Sequence, residues 1–161
     1  MMDLADIRKL REAMKKNRLS NHLLQLQAWA AKGESAAMIA LSHAYFSGKH
    51  GLRRDYVAAR HWFEKICHDE DHAGYGSHAL GVIHYKGLGV TVDRRKAFAY
   101  FRRSALLGNR RSKWIVATML SAGNGTLRKL VAAKTIYRHC AKDKRTNPLL
   151  RLYFLLLSYT G

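Results

Sequence analysis

The chain has 161 residues, 48% of them apolar and only one a proline, which fits a single folded and mostly helical domain and excludes a disordered tail or a catalytic domain with a separate regulatory one. Its 29 Lys and Arg against 11 Asp and Glu give a net charge of +18. The excess is lopsided: Met1 to His72 carries net +3, whereas Ala73 to Gly161 has only Asp93 and Asp143 as acids and carries +15, which predicts an acidic partner or surface.

The opening run from Met1 to Ser20 interleaves Asp3, Asp6, Arg8, Lys9, Arg11 and Glu12 among its apolar residues, so it lacks the apolar core of a secretory signal and a cytoplasmic location is expected. Asp3 to Lys16 and Asn21 to Lys32 read as an amphipathic helix pair capping the front, residues 1–32. Behind it the chain repeats itself. Leu80-Gly81, His84, Gly87, Gly89-Val90, Asp93, Ala97, Tyr100-Phe101 and Ala105 are matched 36 residues later by Val116-Ala117, Leu120, Gly123, Gly125-Thr126, Lys129, Ala133, Ile136-Tyr137 and Ala141, without a gap. Upstream, Leu41-Ser42, Tyr45, Gly48, Gly51-Leu52, Asp55, Ala59, Trp62-Phe63 and Cys67 show the same frame with one extra residue between the glycines. Three copies are therefore expected, at 33–72, 73–109 and 110–146.

Each copy divides into two helices by its own punctuation. In the middle copy Leu80, Ile83, His84 and Gly87 follow an i, i+3, i+4, i+7 stripe, and Gly87 with Gly89 supplies the left-handed backbone that ends helix A. Asp93 stands where an N-cap carboxylate accepts a first-turn amide, and Ala97, Tyr100, Phe101, Ser104 and Ala105 form the stripe of helix B. Small residues recur where the two helices press closest: Ala37, Gly76 and Ser112 on the A helices, Ala59, Ala97 and Ala133 on the B helices. At the far end, Asn147-Pro148 is an N-cap followed by proline at the first helical position, starting a last apolar A-like helix within residues 147–161. Its run from Leu149 to Tyr159 is 11 residues long and contains Arg151, too short to cross a bilayer, which takes about 20.

The pattern Leu80-Gly81, Gly87-x-Gly89-Val90, Asp93, Lys96-Ala97, Tyr100-Phe101 and Ala105 resembles a Sel1-like repeat, a relative of the tetratricopeptide class. The resemblance runs from about Gly33 to Lys142 and implies an all-α fold, a short right-handed α/α solenoid of Sel1-like helix pairs, four pairs with the last incomplete. It also implies a non-catalytic adaptor that assembles protein complexes. The chain departs from the family pattern where His84 and Leu120 replace the usual helix A tyrosine, where Lys129 replaces the helix B aspartate, and at the insertion in the first copy.

Nothing in the sequence assigns a catalytic, cofactor-binding or metal-ligating residue. His68 and His72 stand at i, i+4 around an acidic run, but a closed metal site needs two further ligands. His43, His78 and His84 on A helices read as hydrogen-bonded core residues. Cys67 and Cys140, 73 residues apart, read as buried small hydrophobes of a reducing compartment. Gly87-Leu88-Gly89 joins two helices, so it is not a dinucleotide loop, which follows a strand.

Three surfaces remain as binding candidates. The open A-helix positions His43, Phe46, His78, Val82, Tyr85, Trp114 and Thr118 suggest a groove for a peptide or partner helix. Arg95, Lys96, Arg102, Arg103, Arg110, Arg111, Lys113, Arg128 and Arg138 form a basic face over the second and third copies, suited to an acidic protein or, alternatively, to nonspecific nucleic acid or an anionic membrane surface. Leu152, Tyr153 and Leu156 on the apolar last helix form a candidate association edge for a homo-oligomer.

Overall fold

The structure, a computed structural model, describes residues 21–49, 52–69 and 74–159. The first helix of the expected front cap, Asp3 to Lys16, and His72 lie outside these residues. The described elements are helices: α1 (21–31), α2 (Ser35–Ser47), α3 (Tyr56–Asp69), α4 (Tyr75–Lys86), α5 (Arg94–Leu106), α6 (Arg110–Ala122), α7 (Leu130–Lys142) and α8 (Pro148–Tyr159). Among the described residues the fold is all-α and built of helix pairs, as the repeat implies. Packing divides the chain into two units, Met1–Ile66 and Cys67–Gly161, with the boundary inside α3.

One backbone hydrogen bond recurs in every copy and sets the pair geometry. The amide that opens helix B donates to a carbonyl on helix A: Asp55 to Tyr45 at 2.9 Å, Asp93 to His84 at 3.0 Å, Lys129 to Leu120 at 2.9 Å. These are the residues aligned by the sequence repeat, so the extra residue of the first copy is absorbed in the connector without disturbing the bond. Each A helix ends on a glycine in left-handed backbone, Gly48, Gly87 and Gly123 with φ between 68 and 71°, where a side chain would be strained.

Helix caps follow the sequence with one informative gap. The Asp55 carboxylate accepts from the Val57 and Ala58 amides, and Asp93 accepts from Lys96. Lys129 at the same place offers no side-chain cap, so α7 forgoes a bond worth about 1 kcal/mol. Asn109 caps α6 through the Ser112 amide, a cap the repeat pattern did not single out.

In the first unit, Leu26 and Ala30 of α1, Met38 and Leu41 of α2, and Phe63 and Ile66 of α3 are buried. Phe46 meets both Tyr56 and Phe63 edge-on, at 5.4 and 6.2 Å between ring centroids. In the second unit, Ala97, Phe101, Val116, Ala117, Leu120 and Tyr137 belong to one continuous core. Between α4 and α5 the approach is close: a Cβ added at Gly81 would come within 2.7 Å of the Phe101 ring.

The last helix is anchored by one ring. Phe154 is 3% exposed, stacked on Tyr137 at 6.2 Å and tilted against Trp114 at 6.5 Å. Arg151 turns back along the helix, its Nε donating to the Ala141 carbonyl at 2.8 Å near the end of α7. The charge that breaks the apolar run thus ties α8 to its neighbour.

Gly81→Ala tests this close approach of α4 to α5. In an open helix this change gains up to about 1 kcal/mol of propensity; against the buried Phe101 ring it is expected to destabilise by about 1–3 kcal/mol net, read as a lower urea midpoint. A raised midpoint would show that the ring yields.

Candidate partner-binding site

The groove residues of the first unit are engaged with its aromatic core. His43 is exposed on one side and meets the Phe63 ring edge-on at 6.5 Å; partial burial, and secondarily the Lys49 charge, lowers its pKa. Phe46 packs as described above.

In the second unit, His78 ends a buried chain of hydroxyls. Its Nδ1 lies 2.8 Å from Ser112 Oγ, Ser112 Oγ donates to Ser104 Oγ at 2.8 Å, and Ser104 Oγ donates to the Gly74 carbonyl at 2.6 Å. A carbonyl only accepts, so each hydroxyl proton points toward Gly74 and Nδ1 of His78 must be the donor to Ser112. That polarity is the reverse of an activated serine, which gives its proton to the imidazole. Burial first, and the Arg111 charge second, hold the His78 pKa below its ordinary value, so the ring is kept neutral. His84 does not converge on it. Six residues further along α4 it points about 120° away and stacks on Tyr100 at 5.5 Å.

The remaining groove positions divide. Val82 and Tyr85 pack on the core of the second unit; Tyr85 carries the Arg94 guanidinium 3.7 Å from its ring centroid, and its hydroxyl accepts from Asn124. Thr118 donates to the Trp114 carbonyl and accepts from the Tyr137 hydroxyl. Trp114 and His78 instead line an open cleft of about 810 Å³, together with Arg110, Arg111, Lys113, His139, Asp143, Leu150 and Phe154. Groove residues and basic-face residues that the sequence placed on separate surfaces therefore share one cleft at the start of α6.

The basic face is exposed at Arg95, Lys96, Arg102, Arg103, Arg110, Arg111, Arg128 and Arg138, and half-buried at Lys113. Three of its members already have structural work. Arg103 donates to the Cys67 carbonyl near the end of α3, Lys96 lies 4.0 Å from Asp93, and Arg110 pairs with Asp143 at 3.0 Å while donating to Thr146. Asp143 also accepts from Arg145; that backbone amide first, then the Arg145 and Arg110 guanidinium groups, holds its carboxyl below the usual range. The Lys96 amide does the same for Asp93. Sequence reasoning missed the roles of Arg103 and Arg110 because they join residues 33 to 36 positions apart.

Placement of the cations is locally unfavourable. Arg94, Arg95 and Lys96 open α5, and Arg110, Arg111 and Lys113 open α6, although the positive end of a helix dipole disfavours each nearby cation by roughly 0.3–1 kcal/mol at low salt. Field and side chains add there, and both attract anions.

Of the association edge, Leu152, Tyr153 and Leu156 are each about half exposed, while Phe154 between them is buried. Cys67 and Cys140 are both buried and neither is in a disulfide, and burial pushes the Cys140 thiol pKa up. Among the described residues no three metal-ligating side chains cluster, His68 is exposed, and no helix is long and apolar enough to cross a membrane.

The Sel1 repeat family model matches residues 35–70 and 75–109, the helix pairs α2/α3 and α4/α5. The third pair lies outside the matched residues and repeats the same Lys129 to Leu120 backbone bond. An Arabidopsis thaliana protein named as an ERAD-associated E3 ubiquitin-protein ligase component, HRD3B, is 37% identical over 83 residues, which are 50% of this chain and 12% of that protein. Among solved structures, a Sel1 repeat protein from Oxalobacter formigenes is similar with a TM-score of 0.69 and 24% identity, covering 83% of this chain and 96% of that one. The protective antigen c5321 of uropathogenic Escherichia coli has a TM-score of 0.68 and 21% identity, covering 84% of this chain and 32% of that one. Helicobacter pylori cysteine rich protein B has a TM-score of 0.58 and 18% identity over 79% of this chain and 89% of that one.

The two depressed imidazoles have a measurable consequence. The folded state holds His43 and His78 below 6.5, so the unfolded chain binds more protons once the pH drops past that value. Their contribution to stability is full above about 6.5 and declines as the pH is lowered through the folded-state values. NMR titration of the His78 ring is expected to show a midpoint below 6.5 with the proton on Nδ1 in the neutral form; a midpoint at or above 6.5 would refute the buried neutral assignment.

Proposed function

We propose that the chain is a Sel1-like repeat protein and a non-catalytic adaptor whose basic surface within residues 67–161 holds an acidic protein partner. One observation carries this reading. The only side-chain carboxylates from Ala73 onward, Asp93 and Asp143, are both committed internally, to the α5 cap and to Arg110 with Arg145, so the net +15 of that segment has no further carboxylate of its own to set against it. An excess of that size is more than solubility needs for a small domain, for which a net charge of about 2–8 suffices. The plant relative's name, a component of a ubiquitin ligase, supports a role within an assembly by analogy.

A second reading rests on the same exposed cations: nonspecific binding of nucleic acid or of an anionic membrane surface by phosphate neutralisation. We place the adaptor in the cytoplasm, with thiols kept reduced. The exposed side of α8 serves in this reading as an edge where a second copy associates through Leu152, Tyr153 and Leu156.

The two partner classes separate on one experiment. Proteins captured from a nuclease-treated lysate should be retained by the wild-type chain and lost with R95E/R102E/R138E, at a melting temperature within about 2 °C, because exposed substitutions change stability little. Loss of every partner on nuclease treatment would favour the anionic polymer instead. For the α8 edge, L152E/L156E should lower the mass measured by light scattering with helicity unchanged; an unchanged mass rejects self-association there. Truncating α8 would not serve, because Phe154 is part of the core.

A further inference from the structure

The cleft at the start of α6 differs from the rest of the basic surface in having an apolar floor. Trp114 and Leu150 line it and remain 37% and 44% exposed, with buried Phe154 behind the indole. Arg110, Arg111 and Lys113 border the same space, all from the first four residues of α6. Arg110 is held in place by Asp143 and Thr146, so its guanidinium needs no ordering on binding. Arg111 is exposed and lies near enough to the neutral His78 to lower its pKa.

We propose that this cleft is the docking site for an acidic protein segment, one that seats a single aromatic or large aliphatic side chain against Trp114 and Leu150 while flanking carboxylates meet Arg111 and Lys113. The proposal rests on the adaptor reading and names the chemistry of its partner. Charge complementarity selects the occupant: the rim is cationic, the α6 dipole has the same sign, and the one acid in the cleft, Asp143, is already paired. A volume of about 810 Å³ lies in the range of sites that enclose a side chain with its neighbouring backbone. A single-stranded nucleic acid fits less well. It needs several aromatic platforms along a charged track, and here Trp114 is the one large aromatic ring exposed in the lining, with Phe154 buried behind it and Tyr75 partly buried.

The test uses the full chain and fluorescein-labelled nonapeptides with a central Phe, Leu or Trp flanked on both sides by Asp and Glu. Fluorescence anisotropy should show saturable binding of at least one of them. Replacing its central residue by Gly should weaken binding roughly tenfold, as loss of an aromatic or aliphatic anchor does. W114A and R111E should each weaken it by about tenfold, while K86E, at an exposed cation outside both the cleft lining and the basic face, should change it less than about twofold. Circular dichroism establishes that each variant is folded, and R111E, at an exposed position, keeps the test valid if W114A does not fold.

Absence of saturable binding by all three peptides overturns the proposal. So does equal binding of the Gly-centred peptide, or an equal effect of K86E and R111E, since either would mean diffuse electrostatics with no seat for a side chain. A labelled oligouridylate that binds where the peptides fail, and is lost with R111E, overturns it in favour of RNA. The adaptor reading fails separately, when R95E/R102E/R138E leaves the captured proteins unchanged.

Discussion

The seating of one large ring on helix B against a residue with no side chain on helix A is the contact on which the second pair depends. In the second copy the pair is Phe101 on Gly81, where even a methyl group would intrude on the ring. The same two sequence positions hold Ser42 with Phe63 and Ala117 with Tyr137, all buried. A protein interior near crystalline density cannot absorb an added carbon there without moving a helix. The recurrent bond from the opening amide of helix B to helix A then sets how far along each other the two helices lie.

That close packing has an electrostatic corollary. Where two helices meet over small residues, the interface has little room for long charged side chains, so Lys and Arg are left to the helix ends and the outer faces. From Ala73 onward the two side-chain carboxylates, Asp93 and Asp143, are both drawn into local work, one capping α5 and one gripping Arg110 and Arg145. Charge that might have been balanced within the domain is thereby presented outward, and at the start of α6 it surrounds apolar surface. The uncapped start of α7 at Lys129 belongs to the same trade: a cap is given up and another cation gained.

The repeat was legible because its signals are local. Glycines at helix ends, Asp55 and Asp93 at helix starts, and Asn147-Pro148 before the last helix all depend on the few residues around them, and each stands where the sequence pattern puts it. Ser112 was legible only as a small residue at a close approach. Its place in the chain from His78 to Gly74 depends on Ser104, eight residues before it, and on Gly74, thirty residues before Ser104, neither of which a helical period relates to it.

The sequence by itself determined the helix pairs, their register, the small residues at the crossings and the concentration of charge after Ala73, because propensity, capping and periodicity are short-range properties of a chain. Tertiary structure decided which of those charges have structural partners and which face outward. Arg103 reaches the Cys67 carbonyl and Arg110 reaches Thr146, each across 36 residues, and no spacing rule distinguishes them from Arg102 or Arg111 beside them. It also brought Trp114, Leu150 and the first turn of α6 around one cleft. The physical reason is that such assignments turn on how successive helices stack, and stacking is settled by side chains interlocking across repeats.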